Sequence, residues 1–149
     1  MTDPAPPLPF RIVNWIGIVE QLATAEANRV LRPLELPMPL FVLLNHFSHR
    51  PGEPKTVTGI ARALQQPQPG VTKNVQKLVA RGWLAEKDHG VDGRSKLLTI
   101  TPAGLKCHRA AIETLMPGLA GAFTDWSEAD LRKFFGFLDR LKLWLDGHR

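Results

Sequence analysis

Residues Thr56 to Thr101 read TVTGIARALQQPQPGVTKNVQKLVARGWLAEKDHGVDGRSKLLTIT, and three patterns follow one another in it. A short helix comes first, with Thr56 or Thr58 as its cap and Ile60, Ala61 and Leu64 facing inward. Gln65-Gln66-Pro67-Gln68-Pro69-Gly70 is a turn, and Pro69 suits the first position of a second helix. That helix is expected over about 69–81, with Val71, Val75, Leu78 and Val79 inward and Gly82 as its stop. Two β-compatible segments follow, Trp83 to Asp88 and Lys96 to Thr101. They flank His89-Gly90-Val91-Asp92-Gly93, and Asp-Gly is a strong hairpin signal. Helix, tight turn, helix, hairpin is the order of a winged helix-turn-helix.

The outer face of the second helix carries Thr72, Lys73, Asn74, Gln76 and Lys77, with no acid between Arg62 and Arg81. A helix entering a major groove needs donors and no carboxylates there, because phosphates line both groove walls. Lysine can donate to guanine O6 and N7, and asparagine can pair bidentately with adenine. Arg94 follows the Asp92-Gly93 turn at the wing tip, where a guanidinium can enter a narrow minor groove. The candidate DNA-contacting residues are therefore Gly70, Thr72, Lys73, Asn74 and Lys77 on the helix, and Arg94, Ser95 and Lys96 on the wing. Arg62 and Arg81 are weaker candidates, for phosphate only. The plain alternative is a solvated basic face, with Arg94 paired to Asp92.

Charge follows the same division. Lys55 to Arg109 holds ten bases and three acids, a net +7, whereas the flanks hold nine bases and eleven acids. A basic middle between near-neutral ends gives one face to a polyanion and leaves the rest for another task. The flanks are helical in pattern. Residues 1–9 form a proline-rich flexible arm, and a long helix begins near Phe10. Ile12, Trp15, Ile16, Val19, Leu22 and Ala23 fall at three- and four-residue steps, as a buried face requires, until Pro33 ends the run. Leu40, Phe41, Leu43, Leu44 and Phe47 make a helix apolar nearly all round, hence a central one. After the wing, Pro102 opens a helix that Pro117-Gly118 is expected to kink or interrupt. Ser127-x-x-Asp130 is a capping box before a last helix bearing Leu131, Phe134, Phe135, Leu138, Leu141 and Leu145. Trp126 and Trp144 are expected at a dimer seam. The domain reading is an arm at 1–9, a winged helix-turn-helix at 37–101, and a dimerisation region made of 10–36 and 102–149.

Other classes find little support. The longest apolar stretch, Leu36 to Leu44, contains two prolines and is too short to span a bilayer. The opening MTDPAPPLPF has an acid where a secretory signal carries a base, so a cytoplasmic protein is expected. The single cysteine, Cys107, excludes an intramolecular disulfide and is expected to be a buried, inert thiol. His46 and His49 share a helical face, but no ligand cluster has the spacing of a closed metal site, and no metal or cofactor is expected. The sequence has no GxGxxG, GxxxxGK[ST], GxSxG or HExxH, so no catalytic residue is assigned and an enzyme is not expected.

The run from Thr56 to Thr101 resembles the multiple-antibiotic-resistance-regulator (MarR) family of winged-helix transcription factors. Thr56-Val57-Thr58-Gly59-Ile60-Ala61, Val71 through Leu78, Arg81-Gly82-Trp83-Leu84, Asp92-Gly93-Arg94-Ser95 and the exit Thr101-Pro102-Ala103-Gly104 carry the resemblance. The wing Asp-x-Arg-Ser is its most specific part. Gly59 and Val79 stand where the family often has acids, and Lys73 where arginine is frequent. The resemblance implies a homodimer built by the terminal helices, with two recognition helices and two wings facing one pseudo-palindromic operator in double-stranded DNA. It further implies repression, with release by a small aromatic or phenolic effector whose binding residues are unknown. The alternative from another class is a winged-helix protein-interaction module that meets an acidic protein partner. A small-molecule sensor without an operator is a third.

Overall fold

The computed structural model describes residues 4–89 and 95–149. The chain divides into two compact units, Met1–Leu115 and Met116–Arg149. The first unit begins with helix α1, Leu8–Val30, followed by a 3-10 turn at Arg32–Leu34. Helix α2 is Met38–Ser48, α3 is Val57–Leu64 and α4 is Gln68–Ala80. Strands β1, Leu84–His89, and β2, Ser95–Ile100, form an antiparallel hairpin, and α5, Pro102–Ala122, leaves it. Helix α6, Glu128–Asp146, lies in the second unit.

The core belongs to the first unit. Leu31, Leu36, Leu44, Phe47 and Leu78 are fully buried, with Leu40, Leu43, Ile60, Val71, Leu84 and Leu98 at 2% exposure or less. Helix α2 supplies four of these residues, as its near-uniform apolarity requires. Helix α3 starts at Thr56, not Thr58: the Thr56 Oγ1 accepts the Gly59 N–H at 3.1 Å. It ends with Gln65 in the left-handed region at φ 52°. Only three residues then separate α3 from α4. Helix α4 starts one residue earlier than expected, with Pro67 as cap and Pro69 in the first turn. Its end is a Schellman motif. Gly82, at φ +73°, donates to the Val79 carbonyl at 2.9 Å, and Trp83 donates to Leu78 at 3.0 Å.

Both strands sit one residue from their expected bounds, and Leu84 pairs with Ile100 and Glu86 with Leu98. A third backbone segment joins them. Lys55 and Leu98 exchange both hydrogen bonds, at 2.9 and 2.8 Å, which ties the start of α3 to the wing. The Asp92-Gly93 turn lies outside the described residues.

Three expectations about the outer helices change. Helix α1 starts at Leu8 because Pro7 and Pro9 preset its first turn. Its apolar face is largely exposed among the described residues. Trp15, Val19 and Leu22 are 61, 60 and 67% exposed, and Ala27 is the helix's one buried residue. Helix α5 runs uninterrupted through Pro117. A proline removes one main-chain hydrogen bond, which the bonds before and after it can outweigh in a helix of this length. In the second unit Ser127 caps α6 as expected, its Oγ accepting from Asp130 at 3.1 Å. Trp126 meets Phe123 edge-on and tilts against Phe134, and Trp144 stacks on His148. No described residue of α6 is buried.

His108 is the one polar side chain in the buried class among the described residues. Its Nε2 lies 3.0 Å from Asn45 Oδ1 and 3.4 Å from Ser48 Oγ, and its ring stacks on Phe41. These contacts fix α5 on α2. Burial, with the nearby His49 adding to it, holds this imidazole below its usual pKa of 6.5. His46 moves the same way, first through burial and then through Lys55. The folded state therefore binds fewer protons than the unfolded chain, so stability is full above pH 6.5 and falls as pH drops through the lowered values. Denaturant melts between about pH 7 and about pH 5 will show that loss, and His108→Gln will flatten it. A His108→Gln slope equal to the parent's would contradict this assignment.

Candidate nucleic-acid interface

Helix α4 presents two faces of opposite character. Val71, Val75 and Leu78 are buried against the core. At 100° per residue, Gly70, Lys73 and Lys77 fall together on the opposite side, and all three are exposed. Neither lysine has an ion pair among the described residues. Thr72 and Asn74 are half-buried on the two flanks between these faces. Two uncommitted ammonium groups one turn apart, with hydroxyl and amide groups beside them, make a donor surface without a carboxylate.

On the Thr72 flank a groove opens between α3, α4 and the hairpin. Thr58, Gln68, Thr72, Gln76, Glu86 and Lys96 line it. Thr58, Gln68 and Gln76 were not among the candidates. The signal for them was a polar residue in the first turn of each helix and a second one four residues after Thr72. The candidate Lys96 lies here, but its Nζ is 3.4 Å from Glu86 Oε1 across the strands. Ser95 begins β2, and Arg94 lies outside the described residues. Thus the structure places five of the eight candidates on α4 and a sixth, Lys96, in the adjoining groove.

Two other cations have structural tasks. The Lys55 side chain is only 15% exposed and reaches Glu53 at 3.8 Å. The Arg81 guanidinium donates to the Glu35 carbonyl and lies 5.1 Å from the Trp83 ring centroid. Cys107 is half-buried, and burial pushes its thiol above the usual value. Among the described residues no three metal-ligating side chains gather, and no helix is long and apolar enough to cross a membrane.

Two helices joined by a three-residue turn, followed by a hairpin, define a winged helix-turn-helix. Residues 36–95 match the sequence profile of the MarR family. No curated protein matches it in sequence. Solved structures share the fold over most of both chains. A MarR protein from Peptoclostridium difficile superposes with a TM-score of 0.79 at 18% identity, over 99% of this chain and 95% of that one. The transcriptional regulator BldR from Sulfolobus solfataricus gives 0.71 at 24%, over 89% and 95%. MepR from S. aureus, solved as a DNA complex, gives 0.72 at 17%, over 89% and 96%.

Proposed function

We propose that this protein is a homodimeric, sequence-specific DNA-binding transcriptional regulator acting in the cytoplasm. Helix α4 reads base edges in the major groove through Lys73, Asn74 and Lys77. Gly70 and Thr72 approach the backbone, and the wing residues Arg94, Ser95 and Lys96 reach the flanking groove. The observation that carries this reading is the uncommitted pair Lys73 and Lys77 on the outward face of α4, within a winged helix whose residues 36–95 match the MarR-family profile. MepR, which shares the fold, was solved on DNA. The exposed apolar face of α1 supplies the surface on which a second copy packs, since a stripe this size is seldom left in water. Two recognition helices then stand about 34–36 Å apart and read a pseudo-palindrome. Repression, with release by a small aromatic or phenolic effector, completes the reading. Such a ligand acts by preferring a dimer whose helices are wrongly spaced.

Duplex binding measured against salt tests this reading. A steep fall with salt, together with preference for one sequence over random DNA, is expected. A flat response, or binding to an acidic protein that excess duplex does not displace, would favour the interaction-module alternative.

Glu86 gives a finer test. Its Oε1 lies 3.4 Å from Lys96 Nζ, and both side chains line the groove. Glu86→Gln frees that ammonium and removes a charge that repels phosphate. Affinity should rise several-fold and the salt slope should steepen by about one unit. An unchanged slope would remove Lys96 from the contact set.

A further inference from the structure

The basic segment contains an exposed cation whose partners lie within the protein. Arg81 caps the C-terminal end of α4, and its guanidinium turns back to donate to the main-chain carbonyl of Glu35 while lying over Trp83. Both of its partners are held firmly. Glu35 is a non-glycine residue in the left-handed region, at φ 51°, between Leu31 and Leu36, which are both fully buried. The same turn is tied to α1 and α2. Leu34 and Leu36 donate to the Leu31 carbonyl at 3.0 and 3.5 Å, and Met38 donates to Asn28 Oδ1 at 2.8 Å. Trp83 is fixed from the other side, its carbonyl accepting from Thr101 at 3.0 Å. Arg81 therefore joins the end of α4 to the turn that closes α1, the helix whose free apolar face the proposed dimer uses.

We propose that Arg81 is a positioning residue for DNA recognition, clamping α4 to the α1–α2 turn and so fixing the separation of the two recognition helices in the dimer. The proposal rests on the regulator reading above. A planar, forked cation suits a site with a carbonyl on one side and an aromatic face on the other. A lysine supplies the charge without the plane. The guanidinium nitrogen that bonds the Glu35 carbonyl is committed to that turn, so turning the whole group toward a phosphate would loosen the clamp.

The test uses the full-length protein and the duplex that the wild-type chain selects from a random pool. Its two half-sites are moved apart or together by one or two base pairs. Wild type should bind the selected spacing best. Arg81→Met should keep its affinity for a single half-site within about twofold and keep the salt slope, because no phosphate contact is lost. Its preference for the selected spacing should fall by about tenfold, the scale of an ordinary coupling between sites. Arg81→Lys, which keeps the charge if the methionine variant folds poorly, should shift the spacing profile the same way. A uniform loss at every spacing, with a slope lower by about one unit, would make Arg81 a phosphate contact and overturn the proposal. An unchanged spacing profile in both variants would overturn it too. A wild-type chain that selects no duplex would overturn the regulator reading itself, and this proposal with it.

Discussion

Gly104→Ala will cost about 3 kcal/mol of folding stability, roughly 10 °C in melting temperature for a chain of this size. A Cβ at this position would stand 2.2 Å from the Trp83 carbonyl oxygen and 2.8 Å from Ile100 Cγ1. One of these neighbours is main chain, so no rotamer change relieves the clash. The site also joins several elements. Thr101 Oγ1 donates to the Gly82 carbonyl at 2.6 Å and accepts the Gly104 N–H at 3.0 Å, which seats the start of α5 on the turn after α4. Gly70→Ala is the control, because nothing lies within 4 Å of its would-be Cβ. Thermal melts of the two variants make the comparison, and a loss below about 1 kcal/mol at Gly104 would contradict the described packing.

Lys73→Glu should abolish operator binding while leaving the fold intact. Its side chain is exposed at the centre of the outward face of α4 and makes no ion pair among the described residues, so the folded chain loses little. Against DNA the change replaces an attraction with a carboxylate beside phosphates. A penalty of several kcal/mol corresponds to a loss of at least about a hundredfold. Lys73→Ala should cost less, about 1–3 kcal/mol of discrimination between bases. Mobility-shift titrations with circular dichroism as a folding check will separate these effects. Undiminished binding by Lys73→Glu would mean that α4 does not face the duplex.

The parts legible in the sequence are those governed by local rules. The caps at Thr56 and Ser127 and the inward faces of α3 and α4 follow from side-chain chemistry and helical period, and they reappear in the structure. So do the stop at Gly82 and the central place of α2. Period alone could not say what covers a face. The α1 stripe was readable as apolar, yet among the described residues it stays largely exposed, which periodicity cannot show. Pairings distant in sequence were also hidden. The Lys55–Leu98 bridge, the contacts of His108 with Asn45 and Ser48, and the pairing of Glu86 with Lys96 depend on register and helix placement. Arg81 shows the same limit within the site. In composition a clamped cation and a free one look alike, so its partners, Glu35 and Trp83, came only from the structure. At Pro117 the helix continues without interruption, as the hydrogen bonds on either side of the proline allow.

The central claim is that a symmetric pair of these chains reads duplex DNA through α4. Selection of bound duplexes from a random pool tests it most directly, because it reports binding, symmetry and spacing together. The account predicts an inverted repeat with half-site centres about one helical turn apart, 10–10.5 base pairs. Recovery of unrelated sequences, or of a single unrepeated site bound by one chain, would contradict it.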